Sequence, residues 1–282
     1  MISPDTLVQL CQSQPDEVRW VLEEKYGWGR EEVTKLLQAK SDPHAAMLTQ
    51  LTDEAASDLE QLSQGIPVAY IIGWVEFLDC HIDLRYRTLI PRPETEYWAE
   101  RFITQAKGKE GPLNVLDLCC GSGCIGLAVL KHVPESTVDF VDVSDQALHQ
   151  TVLNLELAGV DQARYRLVHS DLFEKLDGQY DAILCNPPYV DKFGYYSEYI
   201  KHEPEISLFA QNNGLSLIEQ IILDVEKYLD ECGELWLEYG EEQAESVRRL
   251  AAAAELNIES YKDQFGADRY AVITTAASRP QS

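Results

Sequence analysis

The stretch Leu113-Asn114-Val115-Leu116-Asp117-Leu118, running directly into Cys119-Cys120-Gly121-Ser122-Gly123-Cys124-Ile125-Gly126, decides how this chain folds. The first six residues are short and mostly apolar, as a parallel strand covered on both faces reads. The glycines behind them permit a tight turn into a helix over residues 123–133. Towards the C-terminus the pattern repeats. Strands are predicted over 137–143, 166–169, 180–185 and 233–239, with helices over 145–158, 215–228 and 241–254. This alternation predicts a parallel, doubly wound α/β sheet. The last two strands, 258–262 and 269–274, leave no room for a crossover helix, so the final strand should run antiparallel. Residues 276–282 read as a disordered tail.

Towards the N-terminus the reading changes. In residues 89–96, Leu-Ile-Pro-Arg-Pro-Glu-Thr-Glu, two prolines exclude a helix, and Glu94 or Thr95 opens the next one, carrying Tyr97, Trp98, Phe102 and Ile103. Residues 68–77 and 81–84 read as two strands around a turn at Leu78-Asp79, a hairpin linking two parts. Residues 1–60 are helical by periodicity, with Leu7, Leu10, Cys11, Val18, Val21 and Leu22 at helix-like spacing, and with a break and restart at Ser41-Asp42-Pro43.

Composition narrows the function. At 282 residues the chain is long enough for one large or two smaller domains with a proper core. Its 23 basic against 48 acidic residues give a net charge of −25, which disfavours direct grip on a nucleic-acid backbone or an anionic membrane surface. The seven cysteines are odd in number and irregularly spaced, with no doubled C-x-x-C, and the six histidines are scattered, so no metal site is expected. The N-terminus has no basic-then-apolar leader and no apolar run long enough to span a bilayer. These features point to free thiols and a cytoplasmic protein without membrane contact.

Four places could carry chemistry. The Asp117–Gly126 loop follows a strand and opens a helix, where open α/β sheets bind ligands. Its spacing alone suits a dinucleotide loop, a methyl-donor loop or a plain turn. Asp142 ends the next strand and suits ribose hydroxyls. Asp171 ends the one after, where it could accept from an adenine amino group while Leu172 packs on the ring. Together the three strand ends point to an adenosine-like ligand. The fourth, Asn186-Pro187-Pro188-Tyr189, ends the strand over 180–185. Pro188 forces Pro187 to be extended, and neither proline has an N–H, so carbonyls stand exposed without neighbouring donors. With the Asn186 side-chain oxygen they can hold both hydrogens of a planar –NH₂ group, while Tyr189 stacks on the same group. Fixing such a weakly nucleophilic nitrogen in line with a sulfonium methyl, with acceptors for its developing positive charge, is a large part of the catalysis it needs. Cys119, Cys120 and Cys124 read as small packing residues rather than catalytic thiols.

These residues resemble the peptide chain release factor glutamine methyltransferase family over nearly everything from Gly65 to Ile273. The resemblance rests on Gly65-Ile66-Pro67-Val68-Ala69-Tyr70 with Gly73 and Glu76-Phe77, on Leu89-Ile90-Pro91-Arg92-Pro93-Glu94-Thr95-Glu96, and on the Asp117–Gly126 loop. It continues through Ser170-Asp171, Asn186-Pro187-Pro188-Tyr189 and Glu203-Pro204 with Gly214-Leu215. The resemblance implies a helical N-terminal domain over 1–64 that docks the release factor and a β-hairpin linker over 65–90. A seven-stranded, Rossmann-like class I S-adenosylmethionine-dependent methyltransferase domain would follow over 91–275. It implies methyl transfer to the side-chain amide of the glutamine in the Gly-Gly-Gln tripeptide of class 1 release factors, yielding S-adenosylhomocysteine, by a monomer. Asn186, Pro187 and Tyr189 would be catalytic, with Pro188 and Glu203 also against the substrate. Cys119, Cys120, Gly121, Ser122, Gly123, Asp142, Asp171, Leu172 and Asn186 would line the cofactor site. One departure stands out. Family members often have glycine at the position of Cys119, and cysteine fits there if its backbone keeps a negative φ. The competing reading is an adenine or guanine amino methyltransferase acting on nucleic acid. A non-enzymatic cofactor-binding module comes third, and the intact Asn-Pro-Pro-Tyr argues against it.

Overall fold

A computed structural model describes residues 2–38, 51–193 and 198–275. The restart at Ser41-Asp42-Pro43 and the tail at 276–282 lie outside the described residues. The chain divides into two compact units, the first from residues up to 74 together with a short piece ending at His202, the second from the rest.

The first unit is helical, as its periodicity requires: α1 (Pro4–Ser13), α2 (Pro15–Trp20), a π turn over Val21–Lys25, α3 (Arg30–Gln38), α4 (Asp53–Ser63) and α5 (Val68–Ile72). Ser3 and Thr52 cap α1 and α4 by accepting the N–H groups of Thr6 and Ala55, each at 3.1 Å. Leu7, Val18, Val21, Leu22, Val33, Leu36 and Leu59 form a fully buried core. The segment 68–72, expected as strand, is helix. The Pro67 carbonyl accepts the Tyr70 N–H at 3.0 Å, and Gly73 at φ 96° closes the turn by donating its N–H to Ala69 O at 2.8 Å. The apolar run Val-Ala-Tyr-Ile-Ile carries no period of its own, so the residues at its two ends decide.

The second unit begins with a short hairpin, β1 (Trp74–Phe77) and β2 (Cys80–Asp83), around Leu78 and Asp79 at φ 47° and 61°. Helix α6 (Pro93–Ala106) starts at the second proline of the Pro-Arg-Pro segment, not after it. Proline is at home there, because its missing N–H would have had no helical partner. Next come β3 (Asn114–Leu118), α7 (Cys124–His132), β4 (Thr137–Asp142), α8 (Asp145–Leu157), β5 (Tyr165–His169), β6 (Tyr180–Cys185), β7 (Val190–Asp191), β8 (Phe209–Ala210), α9 (Ser216–Asp224), β9 (Leu229–Glu238), α10 (Ala244–Ala253), β10 (Asn257–Lys262) and β11 (Asp268–Thr274).

Seven strands form one sheet in the order β10-β11-β9-β6-β3-β4-β5. The five from β9 to β5 are parallel, and β11 is antiparallel to both β9 and β10. The last strand therefore runs antiparallel, as the absent crossover predicted, and it inserts between β10 and β9, which nothing in the sequence announced. Val115, Leu116, Leu118, Val138, Phe140, Ile183, Leu184, Leu235 and Leu237 are all fully buried, so both faces of the sheet are covered. The chain leaves β3 towards β4 and β5, then returns to β6 on the other side of β3. That reversal opens a crevice at the carboxyl ends of β3, β4 and β6. The small pair β7–β8 was not foreseen, since two-residue strands leave no periodicity to read.

The hairpin is tied into this unit by side chains of α8. Asn154 Oδ1 accepts the Asp83 N–H at 2.8 Å, and Gln150 Oε1 accepts the Tyr86 N–H at 2.8 Å. Asn154 Nδ2 also donates to Ser122 O at 2.9 Å, so one buried amide holds both the hairpin and the glycine loop.

Candidate active site

The crevice holds a cavity of about 280 Å³. Its floor is the end of β3 and the glycine loop, where Leu118, Cys119, Cys120, Gly121 and Ser122 all reach the wall. Asp117 is fully buried and holds the loop from beneath, its Oδ2 accepting the Gly126 N–H at 2.8 Å. Burial pushes the Asp117 carboxyl well above the usual carboxylate range, although the Gly126 N–H opposes the rise. Gly121 has φ 57°, and a Cβ built on it would meet no protein atom within 4 Å. A ligand can therefore lie directly against this backbone. Gly123 belongs to the turn but not to the wall. Its Cβ would strike Thr151 Cγ2 at 2.7 Å, so its smallness serves packing against α8.

Asp142, at the end of β4, lines the cavity and braces the loop. Its Oδ2 accepts the Gly121 N–H at 3.0 Å and its Oδ1 accepts the Ser144 N–H at 2.9 Å. Each oxygen keeps a further lone pair for a ligand hydroxyl. Burial raises the Asp142 carboxyl above its ordinary range. Asp171 is exposed at the rim, while Leu172 is buried beside it at φ 44°, and both line the cavity.

Cys119 does not keep the negative φ on which its fit depended, since it sits at φ 59°. A left-handed backbone costs an L-residue about 1–2 kcal/mol, which glycine avoids. Contact with the Cys185 thiol and then burial hold the Cys119 thiol well above the ordinary range, and burial does the same to Cys120. Neutral thiols are poor nucleophiles, so the cysteines of the loop act as packing.

Beside the glycine loop, where β6 ends next to β3, stand Asn186 and Pro188, both on the cavity wall. Pro187 is buried behind them, and its side chain does not reach the wall. Asn186 Nδ2 donates to Thr95 Oγ1 at 3.0 Å, and Thr95 Oγ1 donates to Glu238 Oε2 at 2.7 Å. The same Oε2 accepts Trp98 Nε1 at 2.7 Å, and Oε1 accepts the Tyr189 hydroxyl at 2.9 Å. Glu238 is 1% exposed, and burial raises its pKa despite these three donors and nearby Arg269. Burial and then the Glu238 charge push the Tyr189 phenol well above its usual range, so Tyr189 stays protonated. The backbone of the loop is also clamped. Gln243 Nε2 donates to Tyr189 O at 2.9 Å and to Asn213 O at 3.0 Å, and its Oε1 accepts the Gly240 N–H at 2.9 Å. Gly214 lies so close that a Cβ there would stand 1.9 Å from Tyr189 O.

Glu203 is not on the cavity wall. Its carboxylate accepts the Ile90 N–H at 2.9 Å and is bridged by Arg92, whose guanidinium lines the cavity. The sequence marks Thr95 and Trp98 only as residues at the start of a helix, and it does not mark Glu238 or Gln243 at all. Thr95 and Trp98 lie three residues apart, on one helix face, which is a faint signal of a shared partner. That partner is 140 or more positions away, and nothing local announces it.

Residues 99–202 match the methyltransferase small domain family. The release factor glutamine methyltransferase of Lactococcus lactis subsp. lactis (strain IL1403) is 32% identical over 79% of this chain and 84% of its own length. The ribosomal protein uL3 glutamine methyltransferase of Neisseria gonorrhoeae (strain ATCC 700825 / FA 1090) is 36% identical over 70% of this chain and 67% of its own. In fold, the chain is similar to the crystal structure of a ribosomal protein L11 methylase from Lactobacillus delbrueckii subsp. bulgaricus. The TM-score is 0.52 and the identity 20%, over 68% of this chain and 82% of that one. Among the described residues no helix is long and apolar enough to cross a membrane. The glycine loop, the acid ending β4, the Asn-Pro-Pro-Tyr after β6 and these similarities agree, and the chain belongs to the release factor glutamine methyltransferase family.

Proposed function

We propose that this protein methylates the side-chain amide nitrogen of the glutamine in the Gly-Gly-Gln motif of class 1 peptide chain release factors, with S-adenosylmethionine as methyl donor. The observation that carries the reading is Asn186, held by a buried side-chain chain at the edge of the cavity floored by Gly121 and Asp142. The residues present fit an adenosyl sulfonium. A glycine backbone with open space above it suits close approach, Asp142 retains acceptor capacity for ribose hydroxyls, and Asp171 with Leu172 offers an acceptor and an apolar surface for a purine. When bound, that cofactor supplies an electrophilic methyl group.

The chain's own residues then have distinct tasks. Asn186 Oδ1 and the Pro187 carbonyl accept the two N–H bonds of the glutamine amide. They fix its nitrogen and stabilise the positive charge it gains. Tyr189 gives the planar amide a surface, and its tethered hydroxyl keeps the ring in place. Cys119, Cys120, Ser122 and Gly123 shape the loop under the cofactor. Glu203 serves the substrate indirectly, by holding the Ile90–Arg92 segment at the cavity edge. The helical unit over 1–64 docks the release factor, the segment over 65–90, a short helix followed by a hairpin, joins it to the methyltransferase domain over 91–275, and the protein works as a cytoplasmic monomer.

The relative from Neisseria gonorrhoeae supports a second protein substrate, a glutamine of ribosomal protein uL3. A nucleic-acid base, which would have to leave its stack to reach Asn186, fits poorly with a net charge of −25. The test is methyl transfer from labelled S-adenosylmethionine to purified release factor, uL3 and tRNA or rRNA in parallel, with the site read by peptide mass spectrometry. Label on the Gly-Gly-Gln glutamine is expected. Label on uL3 alone moves the substrate, and label on RNA alone overturns the reading.

A further inference from the structure

Asparagine offers two ends of nearly equal shape, an oxygen that accepts and an NH₂ that donates. Only the oxygen can receive the N–H of a glutamine amide. Something must decide which end faces the cavity, and the hydrogens around Asn186 can be counted. Glu238, ionised, is an acceptor at both oxygens and a donor at neither. The Thr95 hydroxyl has one hydrogen, and it is spent on Glu238 Oε2 at 2.7 Å. Towards Asn186, Thr95 therefore has only lone pairs left. The Asn186 group 3.0 Å from it must be the NH₂. The oxygen is thereby turned to the other side, and Asn186 lines the cavity.

We propose that Glu238 is a positioning residue which, through Thr95, sets the polarity of the Asn186 amide so that its oxygen faces the substrate amide. The proposal rests on the reading of Asn186 as the acceptor for a glutamine N–H. Trp98 Nε1 and the Tyr189 hydroxyl complete the arrangement, since both are donors to the same carboxylate at 2.7 and 2.9 Å. With three donors converging, Glu238 remains an acceptor, and its direction cannot reverse. A neutral side chain at 238 removes that constraint. The amide NH₂ of a glutamine could itself donate to Thr95, whose hydrogen would then be free to turn to Asn186 and invite the opposite amide orientation.

Two readouts test this, and one of them does not depend on turnover. In protein labelled with ¹⁵N-asparagine, the Asn186 side-chain NH₂ pair, assigned by its loss in Asn186→Asp, should exchange slowly with solvent. In Thr95→Val and Glu238→Gln it should exchange about tenfold faster or more, as expected when a buried hydrogen bond is lost. In release-factor methylation, Thr95→Val and Glu238→Gln should each lose about tenfold in kcat. KM and S-adenosylhomocysteine affinity should stay within about threefold, because the acceptor matters most as positive charge develops on nitrogen. Thr95→Ser, which keeps the hydroxyl, should recover most of the loss. The double variant should be no slower than the slower single, since both cut one chain. The proposal is overturned if the Asn186 pair exchanges unchanged, if Thr95→Val keeps full kcat, or if the two losses multiply. Should Glu238→Gln fail to fold, the Thr95→Val and Thr95→Ser pair carries the test. If the wild-type enzyme does not methylate a release factor, the substrate assignment falls while the exchange measurement still decides the polarity.

Discussion

The two walls of the cavity are braced in different ways. On the glycine-loop side, the hydrogen bonds that hold the backbone span short stretches of sequence, with Gly126 on Asp117 across 9 positions and Gly121 on Asp142 across 21. On the Asn186 side they reach across the molecule. Asn186 to Thr95 spans 91 positions, Thr95 to Glu238 spans 143, and Gln243 to Tyr189 spans 54. The first wall is built from consecutive elements, β3, α7, β4 and then α8, whose Asn154 and Thr151 donate to the carbonyls of Ser122 and Gly121. The second is assembled from α6, the end of β6 and the end of β9, and exists only when the whole sheet is in place. A cofactor can thus be held by a local motif. Asn186, proposed to hold the substrate amide, depends on tertiary packing for its orientation.

If that contrast is right, damage to the two walls should show in different quantities. The largest effect is expected from Asn186→Ala. Removing one acceptor of developing charge costs about 100-fold or more in kcat. S-adenosylhomocysteine binding, measured by calorimetric titration, should change by no more than about threefold. Equal losses in both would show that the walls are not separable.

The glycine-loop wall should give the converse. Asp142→Ala removes an acceptor for the ligand and leaves the Gly121 and Ser144 N–H groups unpaired. A cost of about 2 kcal/mol, or roughly 30-fold in S-adenosylhomocysteine affinity, is expected. At saturating cofactor, kcat should fall much less. A variant that binds normally but turns over poorly would break the comparison.

Acid should separate the walls once more. Burial first of all holds Glu238 above the ordinary glutamate value, and Thr95, Trp98, Tyr189 and Arg269 are the groups that face it. As pH falls through that raised value Glu238 takes up a proton, and kcat should drop about tenfold as its neutral form loses one acceptor direction. The stability linkage has the opposite sign. The folded protein binds this proton before the unfolded chain does, so acidification through the window between the two values favours the fold at this site. Carboxyls held low by arginine partners, Asp83 beside Arg85 and Asp263 beside Arg269, are buried too, yet their net shift is downward, and they lose their contribution only at lower pH. A fall in kcat with no fall in Tm is therefore expected first, read from pH profiles beside thermal melts. In Glu238→Gln the acid limb should vanish. A limb that persists there would assign it elsewhere.

The same contrast explains what the sequence made legible. The parallel sheet, its antiparallel last strand and the glycine loop follow from periodicity and spacing, which are local quantities. Asp142 was placed at the end of its strand for the same reason. The segment 68–72 reads as strand but folds as helix because five apolar residues carry no period, and because Pro67 and Gly73 act as helix boundaries rather than strand boundaries. The start of α6 at Pro93 lies one to two residues before the start that Glu94 or Thr95 suggests, because proline breaks a helix interior but is tolerated in the first turn. Thr95 is legible as a helix opener in the Pro-Arg-Pro-Glu-Thr-Glu segment but not as a partner of Asn186, and Glu238 and Gln243 leave no trace, because each is defined by partners remote in sequence and side-chain polarity of that kind has no periodicity. Glu203 looked like a substrate contact from its motif, yet Ile90 and Arg92 already occupy its carboxylate.

The smallest effect concerns the one place where the local wall departs from its own logic. Cys119 occupies a left-handed backbone at φ 59° in a loop that otherwise puts glycine at such positions. Comparing Cys119 directly with glycine mixes three things: relief of strain, loss of the contact with Cys185, and the greater freedom of glycine in the unfolded chain. Comparing Cys119→Gly with Cys119→Ala isolates the first, because both lose the sulfur. At an ordinary position glycine is less stable than alanine by about 0.5–1 kcal/mol. Here the left-handed cost of about 1–2 kcal/mol falls on alanine alone, so the order should reverse by about 0.5–1 kcal/mol in urea unfolding at pH 7. Turnover should remain within about threefold in both, since the loop is still tied by Asp117 and Asp142. If alanine proves the more stable of the two, the left-handed backbone at 119 is not held in solution, and the loop has more freedom than its short-range braces imply.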